Sequence, residues 1–183
     1  MPKCLRKSVP SLRLRSANRA DVPAMIELNH QSPTAAHWSV QQYESLFSSF
    51  DSQLSQRLIL VAEDVSEMLA AEASGRHRIL AFLVARRVDK EWELENIVVN
   101  EDSRRRGVGT GLLSDFIELA RTENANAIFL EVRRSNESAR AFYDRIGFVE
   151  LGSRKGYYSN PPEDAVIYRL TLSHNETAPQ IWH

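Results

Sequence analysis

Three glycines and three arginines lie within eight consecutive residues, 104–111, near the middle of the chain. The segment follows a predicted strand and opens a predicted helix. A helix N-terminus presents unpaired N–H groups and partial positive charge, so phosphate is its natural ligand. Glycines let the backbone approach a bulky anion, and arginines add charge. The segment predicts a phosphate-binding turn, although a tight connection with a solvated basic edge would have the same composition.

Two well-known nucleotide-binding patterns fit this turn poorly. A Walker-type loop has Lys and Ser or Thr directly after its last glycine, but Leu112 and Leu113 follow Gly111. A dinucleotide-binding Rossmann turn has its third glycine where this chain has Leu112. The turn also comes in the middle of the chain, after strands that are predicted to pair antiparallel. Neither pattern therefore accounts for the turn.

A carboxylate lies on the strand that follows this helix. In the predicted strand 127–132, alternation puts Glu131 on the same face as Phe129 and Arg133. A positioned carboxylate can accept a proton in catalysis. Glu131 is equally compatible with a half-exposed strand residue that pairs with an arginine.

Four residues of the last predicted helix share one face through their spacing of i, i+3, i+4 and i+7: Asn136, Ala139, Arg140 and Tyr143. Phe142 and Ile146 mark the opposite side, which we expect to face the core. Asn136 is also a favoured helix N-cap whatever the function, and Tyr143 is compatible with a packing aromatic. The spacing alone leaves both alternatives open.

A mixed set of strands and helices must position these residues. Alternating or apolar runs predict seven strands, at 12–15, 57–63, 78–88, 91–99, 127–132, 148–155 and 165–172. Helical spacing predicts four helices, at 20–31, after Ser39, at 109–123 and at 136–146. The crossover between the fourth and fifth strands requires that these two pair in parallel. We therefore predict one mixed α/β domain.

Local signals refine some boundaries. Ser39 and Gln42 form a capping-box pattern that opens the second helix. Gly147 is expected to end the last helix. Residues 64–77 are expected to be a loop or insertion, whose part 65–73 has the composition of a short helix. Residues 160–162, Asn-Pro-Pro, predict a loop between the last two strands.

Composition excludes several classes of protein. The 183 residues suit one domain, and the formal net charge of −1 gives no overall positive field to gather nucleic acid. The single cysteine, Cys4, excludes an intrachain disulfide, and no Cys/His cluster has metal-ligand spacing. No apolar run has the length of a signal peptide or of a membrane span. We expect a cytoplasmic protein without metal that binds neither nucleic acid nor membrane directly.

Two blocks of this sequence resemble the GNAT acetyltransferase superfamily. Its cofactor motif, Arg/Gln-x-x-Gly-x-Gly/Ala, is similar to the segment that begins at Arg104. Its second block, Asn-x-x-Ala-x-x-x-Tyr-x-x-x-Gly-Phe, is matched by Asn136, Ala139, Tyr143, Gly147 and Phe148. The resemblance implies the GNAT fold, a mostly antiparallel seven-stranded sheet with a parallel pair of strands 4 and 5 and about four flanking helices. It also implies acetyl-coenzyme A as cofactor.

The resemblance assigns roles to individual residues. The expected cofactor contacts are Ile97, Val98, Val99, Arg104, Arg105, Arg106, Gly107, Val108, Gly109, Thr110, Gly111 and Asn136. Glu131 is the implied proton acceptor and Tyr143 the implied proton donor. Trp38, Tyr157 and Tyr158 are the expected substrate-binding residues.

Within the superfamily, the chain is most similar to enzymes that acetylate the N-terminal alanine of a ribosomal protein. The resemblance covers 12–172, which leaves an N-terminal extension at 1–11 and a C-terminal tail at 173–183. The acceptor is then a protein or peptide N-terminus. The longer segment 65–77, and His37 in place of a proline, keep two alternatives open. These are an acetyltransferase for a small-molecule amine and a non-catalytic acyl-coenzyme A binding module.

Overall fold

The computed structural model describes residues 12–32, 35–36, 38–47, 55–65 and 78–173. The predicted extension 1–11, His37, the predicted short helix within 65–73 and all of the tail after residue 173 lie outside the described residues. None of the helices in the described ranges is long and apolar enough to cross a membrane.

Seven strands and four helices make up the described part of the chain. The strands are β1 (Leu12–Ser16), β2 (Ser55–Asp64), β3 (Arg78–Val88), β4 (Glu91–Val99), β5 (Ala127–Arg133), β6 (Val149–Ser159) and β7 (Pro162–Thr171). The helices are α1 (Val22–His30), α2 (Val40–Ser45), α3 (Val108–Thr122) and α4 (Glu137–Ile146). Short 3₁₀ turns lie at Arg19–Asp21 and Glu101–Ser103.

The strands form one sheet in the order β1-β2-β3-β4-β5-β7-β6. β4 and β5 pair in parallel, from Glu91 opposite Ala127 to Leu94 opposite Leu130. β5 and β7 pair antiparallel along the whole of β5. The predicted mixed α/β sheet and its parallel pair of strands 4 and 5 are therefore confirmed.

The chain divides into two compact units, and the predicted domain boundaries at 12 and 172 stay a prediction. The first unit comprises Met1–Ser49, Ile59–Val84 and Asn96–Leu113, and the second comprises Phe50–Leu58, Ala85–Glu95 and Ser114–His183. In the first, buried apolar residues of α1 and α2 pack with residues of β2, β3 and β4. In the second, the ring of Trp92 on β4 meets Phe116 of α3 edge-on, with centroids 5.4 Å apart.

Side-chain caps set the ends of the short helices, as predicted. The Ser39 hydroxyl accepts from the Gln42 amide at 3.3 Å, while the Gln42 side chain accepts from the Ser39 amide at 2.8 Å. Asn136 caps α4 by accepting from the Ala139 amide at 3.2 Å. Gly147 ends α4 with φ of +101°, a left-handed conformation that glycine adopts without steric cost.

The predicted loop between the last two strands is shorter in the structure. Asn160 and Pro161 form a two-residue turn, and Pro162 already begins β7 opposite Ser159. A proline is tolerated at the first position of a strand, where its missing N–H removes no interior hydrogen bond. The prediction that residues 160–162 are all loop is therefore wrong at Pro162.

A network of two arginines and two buried carboxylates joins β1 to β2 in the first unit. Arg15 donates to both carboxylate oxygens of Asp21 at 2.7 and 2.8 Å, and its Nε donates to Glu63 at 3.1 Å. Arg13 also pairs with Glu63, whose side chain is only 1% exposed. Burial alone would raise the pKa of Asp21, but the bonds from Arg15 and the Asn18 amide outweigh it and lower that pKa. The network therefore holds the pKa of Asp21 low and keeps this carboxylate in its charged form.

We expect Arg15→Met to lower the free energy of unfolding by about 2 kcal/mol at pH 7, because it leaves buried carboxylates with fewer partners. A lowered folded-state pKa stabilises the fold above the ordinary carboxyl pKa of about 3.9, and that contribution is lost as the pH falls. The difference should therefore shrink near pH 3. Urea unfolding at both pH values measures it. Arg121→Met, at an exposed pair with Glu118, is the control and should stay within about 0.5 kcal/mol.

Candidate active site

The glycine-rich segment forms a turn with left-handed residues directly before α3. Arg105 has φ of +59° and Gly107 has φ of +82°. Residues of opposite handedness in succession turn neighbouring N–H groups toward one side, which is the geometry of anion-binding nests. The Gly111 amide donates to the Gly107 carbonyl at 2.8 Å. The amides of residues 108–110 come before this first helical bond, where an α-helix has no acceptor of its own.

The space beside this turn suits a large anion. A Cβ built on Gly107 would meet no atom within 4 Å. Arg105 is exposed and Arg106 is half-buried, so two basic residues belong to the turn itself. Left-handed backbone, helix-start amides and basic side chains are a donor set that fits a diphosphate. The residues present therefore fit the phosphate part of a coenzyme.

Arg104 has a contact that sequence reasoning missed. Its Nε donates to the Val99 carbonyl at 3.2 Å, and its Nη2 donates to the Ser32 hydroxyl at 3.3 Å. Ser32 is buried just after α1, and Val99 is the last residue of β4. Arg104 therefore ties the end of β4 to the end of α1, so we expect it to shape the turn as well as add charge.

The end of β4 has an edge that β5 does not cover. The β4–β5 register ends at Leu94, although β4 continues to Val99. Val98 is buried in the core of the first unit, and Val99 packs against a second buried cluster that includes Val108 and Leu112 of α3. The backbone of Ile97 and Val99 therefore lies in the part of β4 that β5 does not cover.

Glu131 on β5 has two partners from β6. It accepts a hydrogen bond from Arg154 Nη1 at 2.7 Å, and its side chain is 20% exposed while that of Arg154 is 59% exposed. The Arg154 guanidinium carbon lies 4.8 Å from the centroid of the Tyr157 ring. Hydrogen bonding to Glu131, together with burial, raises the pKa of Tyr157 to about 12. The structure thus brings Glu131 together with Tyr157, a predicted substrate-binding residue, and with Arg154, which was not among the predicted site residues.

Tyr158 is held by a second arginine. The Arg133 guanidinium carbon lies 4.1 Å from the centroid of the Tyr158 ring. Arg133 is buried, and it donates to the carbonyls of Asn160 and Pro161 at 2.8 and 3.2 Å and to Glu163 at 3.2 Å. Burial raises the pKa of Tyr158, although the charge of Arg133 opposes the shift. Arg133 therefore fixes the turn between β6 and β7 and the ring that precedes it.

Tyr143 is the residue of α4 that enters the core. It is 6% exposed, and its ring centroid lies 5.6 Å from that of Phe148 and 6.1 Å from that of Tyr168. Burial raises the pKa of the Tyr143 phenol well above its ordinary value, and the nearby Tyr158 adds to the shift. The prediction that Phe142 and Ile146 mark the core side is wrong, since both are only half-buried. The helix is rotated so that Tyr143 faces β7.

The other predicted site residues are engaged within their own unit. The side-chain oxygen of Asn136, Oδ1, caps α4. The side-chain N–H groups of Asn136 are therefore the donors that it can offer a ligand. The Trp38 ring lies 5.4 Å from that of Tyr43, whose hydroxyl is 3.4 Å from the Asn96 side-chain nitrogen. Trp38 therefore packs on the core of the first unit with one side of its ring.

A cavity of about 260 Å³ lies beside Glu131 in the second unit. Its wall combines the carboxylates of Glu91 and Glu93 with apolar Phe129 and Ile167. No group of three or more His, Cys, Asp or Glu residues in the described ranges is arranged to hold a metal ion. The cavity offers room for a small group next to a carboxylate.

Comparison with known proteins identifies the family. The Acetyltransferase (GNAT) family model matches residues 25–148. The [ribosomal protein bS18]-alanine N-acetyltransferase of Salmonella typhimurium is 40% identical over 98 residues, which are 52% of this chain and 66% of that protein. The [ribosomal protein bS18]-alanine N-acetyltransferase of Escherichia coli strain K12 is 37% identical over 98 residues, which are again 52% of this chain and 66% of that protein. The match thus spans slightly less than two thirds of these curated relatives.

Solved structures show the same fold. The crystal structure of the ribosomal-protein-S18-alanine N-acetyltransferase from Escherichia coli has a TM-score of 0.71 at 25% identity, covering 94% of this chain and 99% of that one. NAA60 of Arabidopsis thaliana, solved with acetyl-CoA, has a TM-score of 0.72 at 14% identity, covering 88% and 99%. The predicted family, and its predicted similarity to the ribosomal-protein enzymes, are confirmed. With a family match over more than half of its length, this chain belongs to the GNAT acetyltransferase family.

Proposed function

We propose that this protein transfers an acetyl group from acetyl-coenzyme A to the α-amino group of a protein N-terminus. The acceptor class is the N-terminal alanine of a ribosomal protein, which makes the cytoplasm the place of the reaction. The carrying observation is the turn before α3, where left-handed Arg105 and Gly107 precede amides that have no helical acceptor. The names of the relatives that match this chain support the choice of acceptor.

Residues of the first unit would hold the coenzyme. The amides of residues 108–110 would bind the diphosphate, with charge from Arg105 and Arg106. Backbone groups of Ile97 and Val99 would pair with the pantetheine arm along the β4 edge that β5 leaves uncovered. The bound coenzyme supplies an acyl thioester.

Glu131 and Tyr143 would move the protons. The net change replaces the carbon–sulfur bond of the thioester with the carbon–nitrogen bond of an amide. Glu131 accepts the proton that the amine gives up, and Tyr143 donates a hydrogen bond or a proton to the leaving sulfur. Burial raises the pKa of Tyr143, so the phenol is protonated at neutral pH and can donate a hydrogen bond, although it is a weaker acid than an ordinary phenol.

The chemistry favours an N-terminus over a lysine as acceptor. An α-amino group has a pKa of about 7.7–8.0, so on the order of a tenth is neutral at pH 7, whereas lysine has a pKa of about 10.4. A single carboxylate such as Glu131 is therefore an adequate base for the first and a weak one for the second. Trp38, Tyr157 and Tyr158 are the aromatic side chains that would line the path of the acceptor peptide.

A small-molecule amine is the second candidate for the acceptor. The cavity beside Glu131, of about 260 Å³, motivates it because its volume suits a compact amine better than a peptide. Free lysine, polyamines and amino-sugar antibiotics are therefore included in the substrate test.

The test combines binding and turnover. Calorimetry should register coenzyme A binding, and Gly107→Ala should weaken it about tenfold, because a residue with a Cβ is strained at a φ of +82° by about 1–2 kcal/mol.

Peptides with a free N-terminal alanine should be acetylated, and the same peptides with a blocked N-terminus should not. Turnover on small amines alone would reject the N-terminal acceptor. Coenzyme binding without any product would indicate a non-catalytic binding module.

A further inference from the structure

Arg154 occupies the carboxylate that the proposed function assigns to the acceptor amine. Its Nη1 lies 2.7 Å from Glu131 Oε1, which is the contact that a substrate ammonium group would make. We propose that Arg154 is a cationic placeholder on Glu131, displaced by the acceptor, so that it sets the affinity for the acceptor without taking part in the chemistry. This inference rests on the proposed function.

The ion pair between Arg154 and Glu131 is short, but breaking it should cost little free energy. Arg154 is 59% exposed and stands on β6, an edge strand whose residues are mostly exposed. Ion pairs with such exposure contribute little to stability, because water competes for both charges. The other end of the pair is different, since Glu131 is 20% exposed and stays in place on β5. Release therefore means movement of Arg154.

The strand is irregular just beyond Arg154. The β6–β7 register shifts between Arg154 and Tyr158, and Gly156 within that interval has φ of +61°. The Gly156 amide is held by Asp164 at 2.9 Å, which anchors the irregular segment just beyond Arg154. Arg154 thus stands at the start of an irregular stretch rather than in a continuous ladder.

Glu93 is an alternative carboxylate partner for a displaced Arg154. The charge of Glu93 on β4 already acts on Arg154, in addition to the larger contribution of Glu131. Glu93 pairs with Arg86 through Oε2 at 2.6 Å, and its side chain is 43% exposed, so it is a second carboxylate near Arg154. The acceptor ammonium therefore exchanges one cation for another at Glu131, and Tyr157 remains as the second partner of the carboxylate.

This exchange predicts a specific kinetic pattern. A competitor for the acceptor raises the KM for the acceptor and leaves kcat and the KM for the coenzyme unchanged. Arg154→Gln should accordingly lower the KM for an alanine-starting peptide about 3- to 10-fold, with kcat within about twofold of the wild type. Arg154→Lys keeps the charge and should stay close to the wild type.

The experiment compares both variants with Arg121→Gln, which removes an exposed arginine on α3 that pairs with Glu118. Initial rates give both KM values, and calorimetric titration of the same peptide without coenzyme gives its affinity. A raised peptide KM, an unchanged one, or a kcat loss in Arg154→Gln would overturn the placeholder role and indicate that Arg154 orients Glu131. If the wild type acetylates no peptide, the proposed function fails, and the titration still decides whether removing Arg154 tightens cation binding.

Discussion

Glu131→Gln is expected to lower kcat by about 10²- to 10⁴-fold, the usual contribution of a positioned proton acceptor. Glutamine keeps the size and the hydrogen-bonding oxygen of the side chain but cannot take a proton. Arg154 and Tyr157 can still donate to that oxygen, so the local structure should persist. The loss should therefore appear in turnover, with little change in the fold.

Affinity for the coenzyme separates this role from a structural one. The residues proposed to hold the diphosphate belong to the first unit, whereas Glu131 belongs to the second. Calorimetry should therefore give nearly the same coenzyme dissociation constant for Glu131→Gln and the wild type. Glu118→Gln, which removes a surface carboxylate on α3, is the matched control and should leave both quantities unchanged. Equal losses of turnover and of affinity in Glu131→Gln would mean that the residue is structural.

Elements with local signals could be predicted from the sequence. The capping box of Ser39 and Gln42 involves residues three apart, and the structure confirms both of its hydrogen bonds. The Asn136 cap and the Gly147 stop of α4 are equally local. The parallel pairing of β4 and β5 followed from connectivity, because a helical crossover joins two strands of the same direction. Such features can be predicted because they depend only on residues close in sequence or on the way in which two strands are connected.

The surroundings of Glu131 depend on the register of three strands. Glu131 lies opposite Ile167 on β7, and Ile167 lies opposite Gly152 on β6, two residues before Arg154. Arg154 follows Glu131 by 23 residues, and a one-residue slip would turn its side chain to the other face of the sheet. The irregularity between Arg154 and Tyr158 makes that register invisible to alternation alone. The pairing of Glu131 with an arginine was weighed from the sequence, but the arginine could not be named.

The rotation of α4 was missed for a different reason. Helical spacing identifies which residues share a face, but hydrophobicity decides which face is assumed to be buried. By that measure Phe142 and Ile146 rank above Tyr143. The structure instead buries Tyr143 against Phe148 and Tyr168. A tyrosine can be buried when its ring is packed and its hydroxyl group has a hydrogen-bonding role.

Tyr143→Phe tests that use, and we expect it to lower kcat about 10²-fold, since removal of one donor to a developing charge typically costs that much. Phenylalanine keeps the ring contacts with Phe148 and Tyr168, so the free energy of unfolding should change by no more than about 1 kcal/mol. Urea unfolding and initial rates measure the two effects. A loss of stability as large as the loss of transition-state stabilisation would make Tyr143 a packing residue.

The pH dependence of the same variant tests the donor role more closely. Burial raises the pKa of Tyr143 above its ordinary value of about 10, so the phenol remains protonated throughout the neutral and mildly alkaline range. The ratio of wild-type to Tyr143→Phe kcat should therefore stay constant between about pH 6 and pH 9. A titrating donor would behave differently, because its advantage would vanish as it lost its proton. A ratio that falls toward one by pH 9 would mean that Tyr143 loses its proton in this range. It would contradict the proposal that a protonated Tyr143 donates to the leaving sulfur.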